Sequence, residues 1–238
     1  MRFCEDLFLS FGEKQIFEGF SLDILPGITA ILGPSGCGKT TFLRMVLGLV
    51  KPTRGQIVTV RPAGVVFPEL RLIDWLSSVD NIRLINPKLD LKKISTTFDE
   101  LEIENPFLPV GKLSTGQKQR VALARAWLFG GEWLFLDEAF RAWDVGLKQR
   151  LFPRLRLQWK QEKKHVLLVT HDLSEALMLA DRVIIFSFPP VKVLEAFSVE
   201  ISEKERQNLT PEHPLFLRLA QSLKTYFDPI TLMNQFHA

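Results

Sequence analysis

The sequence predicts an α/β protein with a mainly parallel sheet, and three features of the residue pattern lead to that prediction. Strand-like and helix-like segments alternate from Trp133 onward. The apolar run Ile28–Leu32 passes through a glycine-rich loop into a segment with helical spacing. Two early segments, Asp6–Phe11 and Gln15–Ile24, are rich in Phe, Leu and Ile and end at turn residues. Alternating strands and helices are typical of a parallel sheet with helices on its faces, and the early strands predict a small antiparallel part.

The other elements follow in chain order. Helical spacing over Thr40–Val50 predicts a first helix, which Pro52 ends. Short strands are expected near Gln56–Val60 and Gly64–Phe67. The later segments are predicted as helices at Asp80–Ile85, Leu91–Leu101 and Gln117–Leu128, a strand at Trp133–Asp137, a helix at Asp144–Lys163, a strand at His165–Thr170, a helix at Leu173–Ala180, a strand at Arg182–Phe186 and a helix at Pro211–Phe227.

Composition limits the classes of function. The chain has 238 residues, of which 46% are hydrophobic and 24% charged, so it can bury a sizeable core. Its 30 basic and 27 acidic residues give a net charge of +3, which is no reason to expect nucleic-acid binding through bulk charge. Cys4 and Cys37 cannot form a disulfide framework, so a reducing compartment is expected. No apolar run reaches the ~18 residues that span a bilayer, so we expect a soluble or peripheral protein.

The most specific motif is a glycine-rich loop that fits the pattern G-x-x-x-x-G-K-[ST]. Its residues, with the threonine that follows, are Gly33, Pro34, Ser35, Gly36, Cys37, Gly38, Lys39, Thr40 and Thr41. Glycines let the backbone wrap closely, and N–H groups at a helix N-terminus favour phosphate. Lys39 is expected to reach the β- and γ-phosphates, and the Thr40 hydroxyl to bind Mg²⁺. The alternative is a glycine-rich turn with a chance lysine, which the flanking strand and helix disfavour. The motif predicts a P-loop NTPase core that binds ATP and Mg²⁺.

Two carboxylates lie at the end of the apolar strand predicted at Trp133–Asp137. Asp137 at this place would lie near the Mg²⁺ shell of a P-loop enzyme. Glu138, one residue later, can orient or deprotonate an attacking water. Taken alone, these residues also fit a buried strand that ends in two solvated acids, and this motif leaves that alternative open.

Several segments resemble, in the right order, the ATP-binding subunits of ABC transporters. Leu113–Gln117 reads L-S-T-G-Q and resembles the family's LSGGQ signature, with Thr115 in place of a glycine. Phe135–Glu138 and Ala142-Trp143-Asp144 resemble the Walker B and D-loop segments, and the likeness covers nearly the whole chain. His171, in the run V-T-H-D, resembles the family's switch histidine. Each residue alone has a plainer alternative, because His171 at a strand end is often structural and Asp144 fits a helix N-cap.

The resemblance implies a head-to-tail dimer with two ATP molecules at its interface. The signature of one subunit, through Ser114, Gly116 and Gln117, would cap the γ-phosphate that the partner's P-loop holds. Glu138 would act as the base, with Lys39 and His171 as further catalytic residues at the phosphates and Asp144 among the residues that bind the nucleotide. Phe11 matches the position where the family stacks an aromatic ring on adenine, and a half-buried strand side chain is its alternative.

The sequence departs from the family at Pro68, where the family has a glutamine that contacts Mg²⁺ and the attacking water. Proline has neither a side-chain carbonyl nor an N–H group, which puts the timing of hydrolysis in doubt. The stretches 54–67 and 75–113 are short, so the antiparallel hairpin and the helical subdomain are expected to be trimmed. We expect one ABC ATPase domain over 1–238, with the helical subdomain at approximately 75–128 inserted in the P-loop core.

Three further segments are similar to importers of the nitrate, sulfonate and taurine type, which include thiamine-precursor importers. They are Arg71–Trp75, Glu175–Leu177 and Ala180–Ile184. This likeness implies a peripheral ATPase on the cytoplasmic face of the membrane. Its partners would be separate permease subunits, a second ATPase subunit that forms a homodimer, and an extracytoplasmic solute-binding protein.

Two alternative functions stay open at this point. One is a soluble ABC ATPase that acts on nucleic acid or ribosomes, which the short chain and near-neutral charge disfavour. The other is a nucleotide-binding subunit with slow turnover because of Pro68 and Thr115. The transported substrate is not encoded in a subunit of this kind.

Overall fold

The structure, a computed structural model, describes residues 2–227. The chain divides into two compact units. The first contains residues 2–60 and 168–227, and the second contains Arg61–Leu167. The chain returns from the second unit to the first within a strand, β7 (His165–Val169).

An antiparallel sheet opens the first unit. Strand β1 (Arg2–Phe11) pairs with β2 (Lys14–Asp23) on one side and with β4 (Arg54–Ile57) on the other. Apolar side chains on one face of β1 and β2, among them Phe3 and Phe17, are fully buried. Strand β1 begins four residues before the predicted start at Asp6, because Phe3 and Cys4 also contribute buried side chains.

A parallel strand pair carries the glycine-rich loop in the same unit. Strand β3 (Ile28–Leu32) pairs in parallel with β8 (Arg182–Phe186), and β9 (Val193–Ser198) adds to β8 in the antiparallel sense. Every residue of β3 is buried, as in a strand covered on both faces. Beside it lies a cluster of four aromatic rings with centroids 5.1–6.4 Å apart, formed by Phe17, Phe20, Phe42 and Phe186.

The helices of the first unit are α1 (Lys39–Val46), α6 (Leu173–Leu179), α7 (Glu203–Gln207) and α8 (Pro214–Phe227). The predicted extension of α1 to Val50 is wrong. Gly48 takes a left-handed φ of +64°, and the Leu49 N–H turns back to the Arg44 carbonyl. A glycine in this conformation is a common helix stop. The short helix α7 was not predicted, and the last helix begins at Pro214 rather than at Pro211.

The second unit pairs β5 (Ala63–Val66) in parallel with β6 (Trp133–Asp137). Its helices are α2 (Ser78–Arg83), α3 (Leu91–Glu100), α4 (Thr115–Leu128) and α5 (Val145–Gln161). A Cβ atom at Gly64 would lie 2.0 Å from the Ala126 carbonyl oxygen, so only glycine allows β5 to approach α4 this closely. Helix α5 continues as one helix through Pro153.

The predicted fold class is confirmed, since the α/β chain has parallel strand pairs in both units and a small antiparallel sheet. Within residues 2–227, every helix is too short or too polar to cross a membrane.

Candidate nucleotide-binding site

The glycine-rich loop joins β3 to α1 and holds three glycines in left-handed conformations. Gly33, Gly36 and Gly38 have φ values of +156°, +74° and +110°. A Cβ atom at Gly33 would lie 2.8 Å from the Phe186 carbonyl oxygen, so the loop packs tightly against β8 there. At Gly36 an added Cβ would meet nothing within 4 Å, so this part of the loop is open. A loop of this shape presents backbone N–H groups to an anion.

Helix α1 starts directly from this loop. Its N-cap is Gly38, which has no side-chain oxygen, so the N–H groups of the first turn remain available to a phosphate. Thr40 and Thr41 follow in that turn and are partly exposed. The loop and the helix N-terminus therefore form a cradle that fits the phosphates of a nucleotide.

Lys39 is held against the loop that precedes it. Its Nζ atom donates to the carbonyl oxygens of Gly33 and Pro34, both at 2.8 Å. The residue is only 6% exposed. The loop thus holds its cation in a defined place, and a phosphate that takes the ammonium as partner must exchange these two hydrogen bonds.

Cys37 lies inside the same loop and is fully buried. Burial raises the pKa of its thiol, and the nearby Lys39 ammonium, 3.8 Å from the sulfur, opposes that effect. A buried cysteine of raised pKa packs as a small apolar side chain and reacts slowly.

His171 follows β7 in the first unit and is exposed. The preceding Thr170 fixes its place, because the Thr170 N–H donates to the carbonyl of Ile31 at 3.2 Å. The Thr170 hydroxyl donates to the Glu175 carboxylate and accepts from the Asp172 N–H at 3.0 Å. Ile31 belongs to the strand that leads into the glycine-rich loop. The first unit therefore places the segment that carries His171 beside the strand that carries the loop.

Phe11 ends β1 at the turn to β2 and is 55% exposed. An aromatic ring this exposed at a strand end is available for stacking on a planar group.

Asp137 and Glu138 lie in the second unit, at the end of β6. Asp137 is 1% exposed, whereas the Glu138 side chain is 24% exposed. Glu138 has a left-handed φ of +50°, which is uncommon for a residue with a Cβ and clusters at functional sites. Its Oε2 atom lies 3.7 Å from Nη1 of Arg141, an exposed residue three positions later.

The signature segment Leu113–Gln117 opens α4, which begins two residues before the predicted start at Gln117. Ser114 is the N-cap: its hydroxyl accepts from the Gln117 N–H at 3.3 Å, and the Gln117 side chain accepts from the Ser114 N–H at 2.9 Å. This reciprocal pair is a capping box. A Cβ at Gly116 would lie 3.0 Å from the Ala142 carbonyl oxygen, so the signature turn packs closely on the segment after Glu138.

Asp144 is the N-cap of α5 and accepts from the Leu147 N–H at 2.8 Å. The helix N-cap role, which the sequence analysis gave as the plainer alternative for Asp144, is therefore present. Gln119, which sequence reasoning missed, binds the Ala142 N–H through its side-chain oxygen at 2.9 Å. Its position on the α4 face next to Gly116 was the only signal that could have indicated it.

Residues 17–141 match a family model described as ABC transporter. The chain belongs to the ABC transporter family. It is 36% identical over 222 residues to the aliphatic sulfonates import ATP-binding protein SsuB of Delftia acidovorans, covering 90% of this chain and 88% of that protein. It is 38% identical over 206 residues to SsuB 3 of Nocardia farcinica, with coverage of 85% and 82%.

A solved structure of the bacterial ABC transporter cassette MJ0796, described as dimeric, has the same fold. It superposes with a TM-score of 0.72 at 25% identity and covers 85% of this chain and 100% of the cassette. The chain is thus an ABC ATP-binding subunit, and the prediction of a nucleotide-binding ATPase is confirmed.

The two oxygen donors that the sequence predicts for Mg²⁺ fit that ion chemically. The Thr40 hydroxyl and the Asp137 carboxylate are hard oxygen ligands of the kind that Mg²⁺ prefers. Asp137 is also buried, which suits a carboxylate that is neutralised by a cation.

Proposed function

We propose that this chain is the ATP-hydrolysing motor of an importer, acting as a head-to-tail dimer on separate membrane permease subunits. The observation that carries the hydrolytic part is the glycine-rich loop with its fixed Lys39 at the N-terminus of α1. The importer part rests on relatives that are named as import ATP-binding proteins. We assign the function to one domain over 1–238, with a helical subdomain at approximately 75–128.

ATP binding begins at the loop of residues 33–41. Its N–H groups and the first turn of α1 bind the phosphates, and Lys39 exchanges its two carbonyl partners for the β- and γ-phosphate oxygens. Phe11 stacks on the adenine ring. Thr40 and Asp137 hold Mg²⁺, which neutralises charge on the phosphates when bound.

Hydrolysis requires a base and groups that hold the γ-phosphate. Glu138 orients the attacking water and accepts its proton. His171 contacts the γ-phosphate from the same subunit. In the dimer, Ser114 and the N–H groups of Gly116 and Gln117 face the γ-phosphate bound by the partner, with Asp144 at the same interface.

The helical part of the second unit has an exposed apolar surface that suits a permease segment. Trp75 and Phe107 are 79% and 78% exposed. Next to Phe107 lies a cavity of about 350 Å³ whose walls include Ile94 and Phe98, with Glu104 among its polar lining residues. Apolar surface of this kind marks interaction sites. We place the subunit at the cytoplasmic face of the membrane, with a solute-binding protein in the same system.

Phosphate release by the purified subunit in Mg²⁺ and ATP tests this proposal. Glu138→Gln keeps size and hydrogen bonding but accepts no proton, so turnover should fall ~10²–10⁴-fold while ATP still binds. Lys39→Ala should weaken ATP binding itself, because it removes a point charge from the phosphate cradle. Glu132→Gln and Lys51→Ala, exposed residues of the same types, serve as matched controls.

The result that contradicts the proposal is a Glu138→Gln variant that hydrolyses ATP at the wild-type rate.

Mixing Lys39→Ala with Ser114→Arg subunits tests the dimer. In a head-to-tail heterodimer, one of the two sites contains both substitutions and the other contains neither. Recovery of activity on mixing supports head-to-tail pairing. A wild-type subunit that binds ATP but releases almost no phosphate would favour the slow-turnover alternative.

A further inference from the structure

The loop that follows Pro68 is hydrogen-bonded to the signature helix through Arg125. Arg125 lies on α4, about 16 Å along the helix axis from Ser114. Its Nη1 atom donates to the Arg71 carbonyl at 2.7 Å, and its Nη2 atom donates to the Leu70 carbonyl at 2.6 Å. Two consecutive backbone carbonyls thus bind the two ends of one planar guanidinium, a fork geometry that a lysine cannot reproduce.

The same loop is also attached at the other end of α4. The Gly111 N–H donates to the Asp74 carbonyl at 2.8 Å, and the Val110 N–H donates to the Leu76 carbonyl at 2.9 Å. These two donors lie directly before the signature segment Leu113–Gln117. The loop of residues 70–76 therefore runs alongside α4 and is bound near both of its ends.

A buried asparagine fixes the internal shape of this loop. Asn81 on α2 is fully buried, accepts from the Ile73 N–H at 2.8 Å and donates to the Ile73 and Ser77 carbonyls at 3.1 and 3.0 Å. Arg71 has a left-handed φ of +50°, so the backbone is bent where Arg125 binds it. The loop is therefore a defined structure with Trp75 exposed on its outer side.

We infer that Arg125 is a positioning residue that joins the loop of residues 70–76 to α4, so that the loop and Ser114 move as one rigid body. A partner that binds at Trp75 then displaces the signature, although Pro68, which precedes this loop, supplies no polar side chain. The inference rests on the proposed role of Ser114 at the γ-phosphate of the partner subunit. Asn81 holds the loop independently, so variants at Arg125 are expected to fold.

The test compares Arg125→Gln and Arg125→Lys with the wild type in steady-state ATP hydrolysis. Arg125→Gln should lower kcat ~10–100-fold and leave KM for ATP within about twofold, because the glycine-rich loop is untouched. Arg125→Lys should recover part of the loss, since it keeps the charge but binds one carbonyl at a time. Arg150→Gln, an exposed arginine on α5, should leave both constants unchanged.

Hydrogen exchange provides a readout that is independent of catalysis. Arg125→Gln should speed exchange at the amides of Leu76, Val110 and Gly111, which are hydrogen-bonded within or to the loop. Wild-type kcat in Arg125→Gln, or unchanged exchange at those amides, would overturn the inference. So would an equal loss of kcat in both Arg125 variants with KM raised, which indicates a general structural defect.

If neither variant folds, hydrogen exchange of the wild type tests the inference instead. The inference requires the amides of Leu76, Val110 and Gly111 to exchange together with those of the first turn of α4. A wild type without ATPase activity would refute the proposed function, and the exchange measurement would still decide the role of Arg125.

Discussion

Replacing Thr170 by valine should slow ATP turnover and lower stability without weakening ATP binding. Thr170 is 2% exposed and comes directly before His171. Its hydroxyl donates to the Glu175 carboxylate and accepts from the Asp172 N–H. Valine has nearly the same shape but neither hydrogen bond, so the change removes the polar contacts and keeps the packing volume.

The expected size follows from these two contacts. A hydrogen bond to a charged group contributes about 1.5–3 kcal/mol and a neutral one about 0.5–1.5, so their loss costs roughly 2–4.5 kcal/mol. For a chain of this size each kcal/mol shifts Tm by about 2–4 °C, which gives a fall of roughly 4–18 °C. A segment released in this way holds His171 less well, so we expect kcat to fall ~10-fold or more at constant KM for ATP.

The assay combines thermal unfolding with steady-state phosphate release at saturating Mg²⁺ and ATP. Thr170→Ser is the matched control, because it keeps the hydroxyl and loses one methyl group. It should retain most of the stability and turnover. If Thr170→Val matches the serine variant in both Tm and kcat, the hydroxyl network does not fix the histidine segment, and the reasoning fails.

Three further predictions concern other parts of the chain. Pro68→Gln should raise turnover of the isolated subunit ~3–30-fold by restoring a polar side chain, and an unchanged rate of phosphate release would show that this residue does not limit hydrolysis. Arg206→Met should cost about 3–5 kcal/mol in urea unfolding, because the buried guanidinium donates to three backbone carbonyls around the end of α6; a loss under 1 kcal/mol would contradict this. Arg150→Gln should lower stability only slightly at pH 7, since the hydrogen bond from Arg150 lowers the pKa of Glu102 but the pair is exposed to solvent. A lowered pKa stabilises the fold above the ordinary pKa of a glutamate, so the difference should shrink as the pH falls below that value and vanish once the pH is below the lowered pKa of Glu102. A difference that persists in acid would show that the loss is not electrostatic.

Local sequence rules predicted most elements because they depend on nearby residues. The strand at Ile28–Leu32 and the strand at Trp133–Asp137 match the predicted bounds, since each is an apolar run bounded by polar or turn residues. The end of α1 was misplaced because the apolar spacing continues to Val50, while the left-handed Gly48 stops the helix first. The short helix α7 has too few residues for periodicity to reveal it.

The sequence could predict those parts of the site that belong to a motif, but not the contacts that hold them in place. The glycine-rich loop and the strand-end carboxylates have fixed spacings, so sequence alone located them. The contacts of Arg125 and Thr170 depend on hydrogen bonds to backbone carbonyls or to a neighbouring helix, and a backbone acceptor leaves no mark in the residue pattern. The burial of Cys37 was likewise invisible, and it makes this thiol a poor labelling probe of nucleotide binding.

The exposure of Trp75 would make this side chain an optical reporter of the partner binding that we propose at this surface. Of the five tryptophans, Trp127, Trp143 and Trp159 are at most 5% exposed and Trp133 is partly buried, whereas Trp75 is 79% exposed. An indole in water emits at longer wavelength than one in an apolar interior, so light from Trp75 should dominate the red edge of the spectrum. A permease segment that covers this ring would shift its emission toward the blue and shield it from acrylamide. Docking can therefore be followed in solution on the unlabelled protein, with Trp75→Phe as the spectroscopic blank.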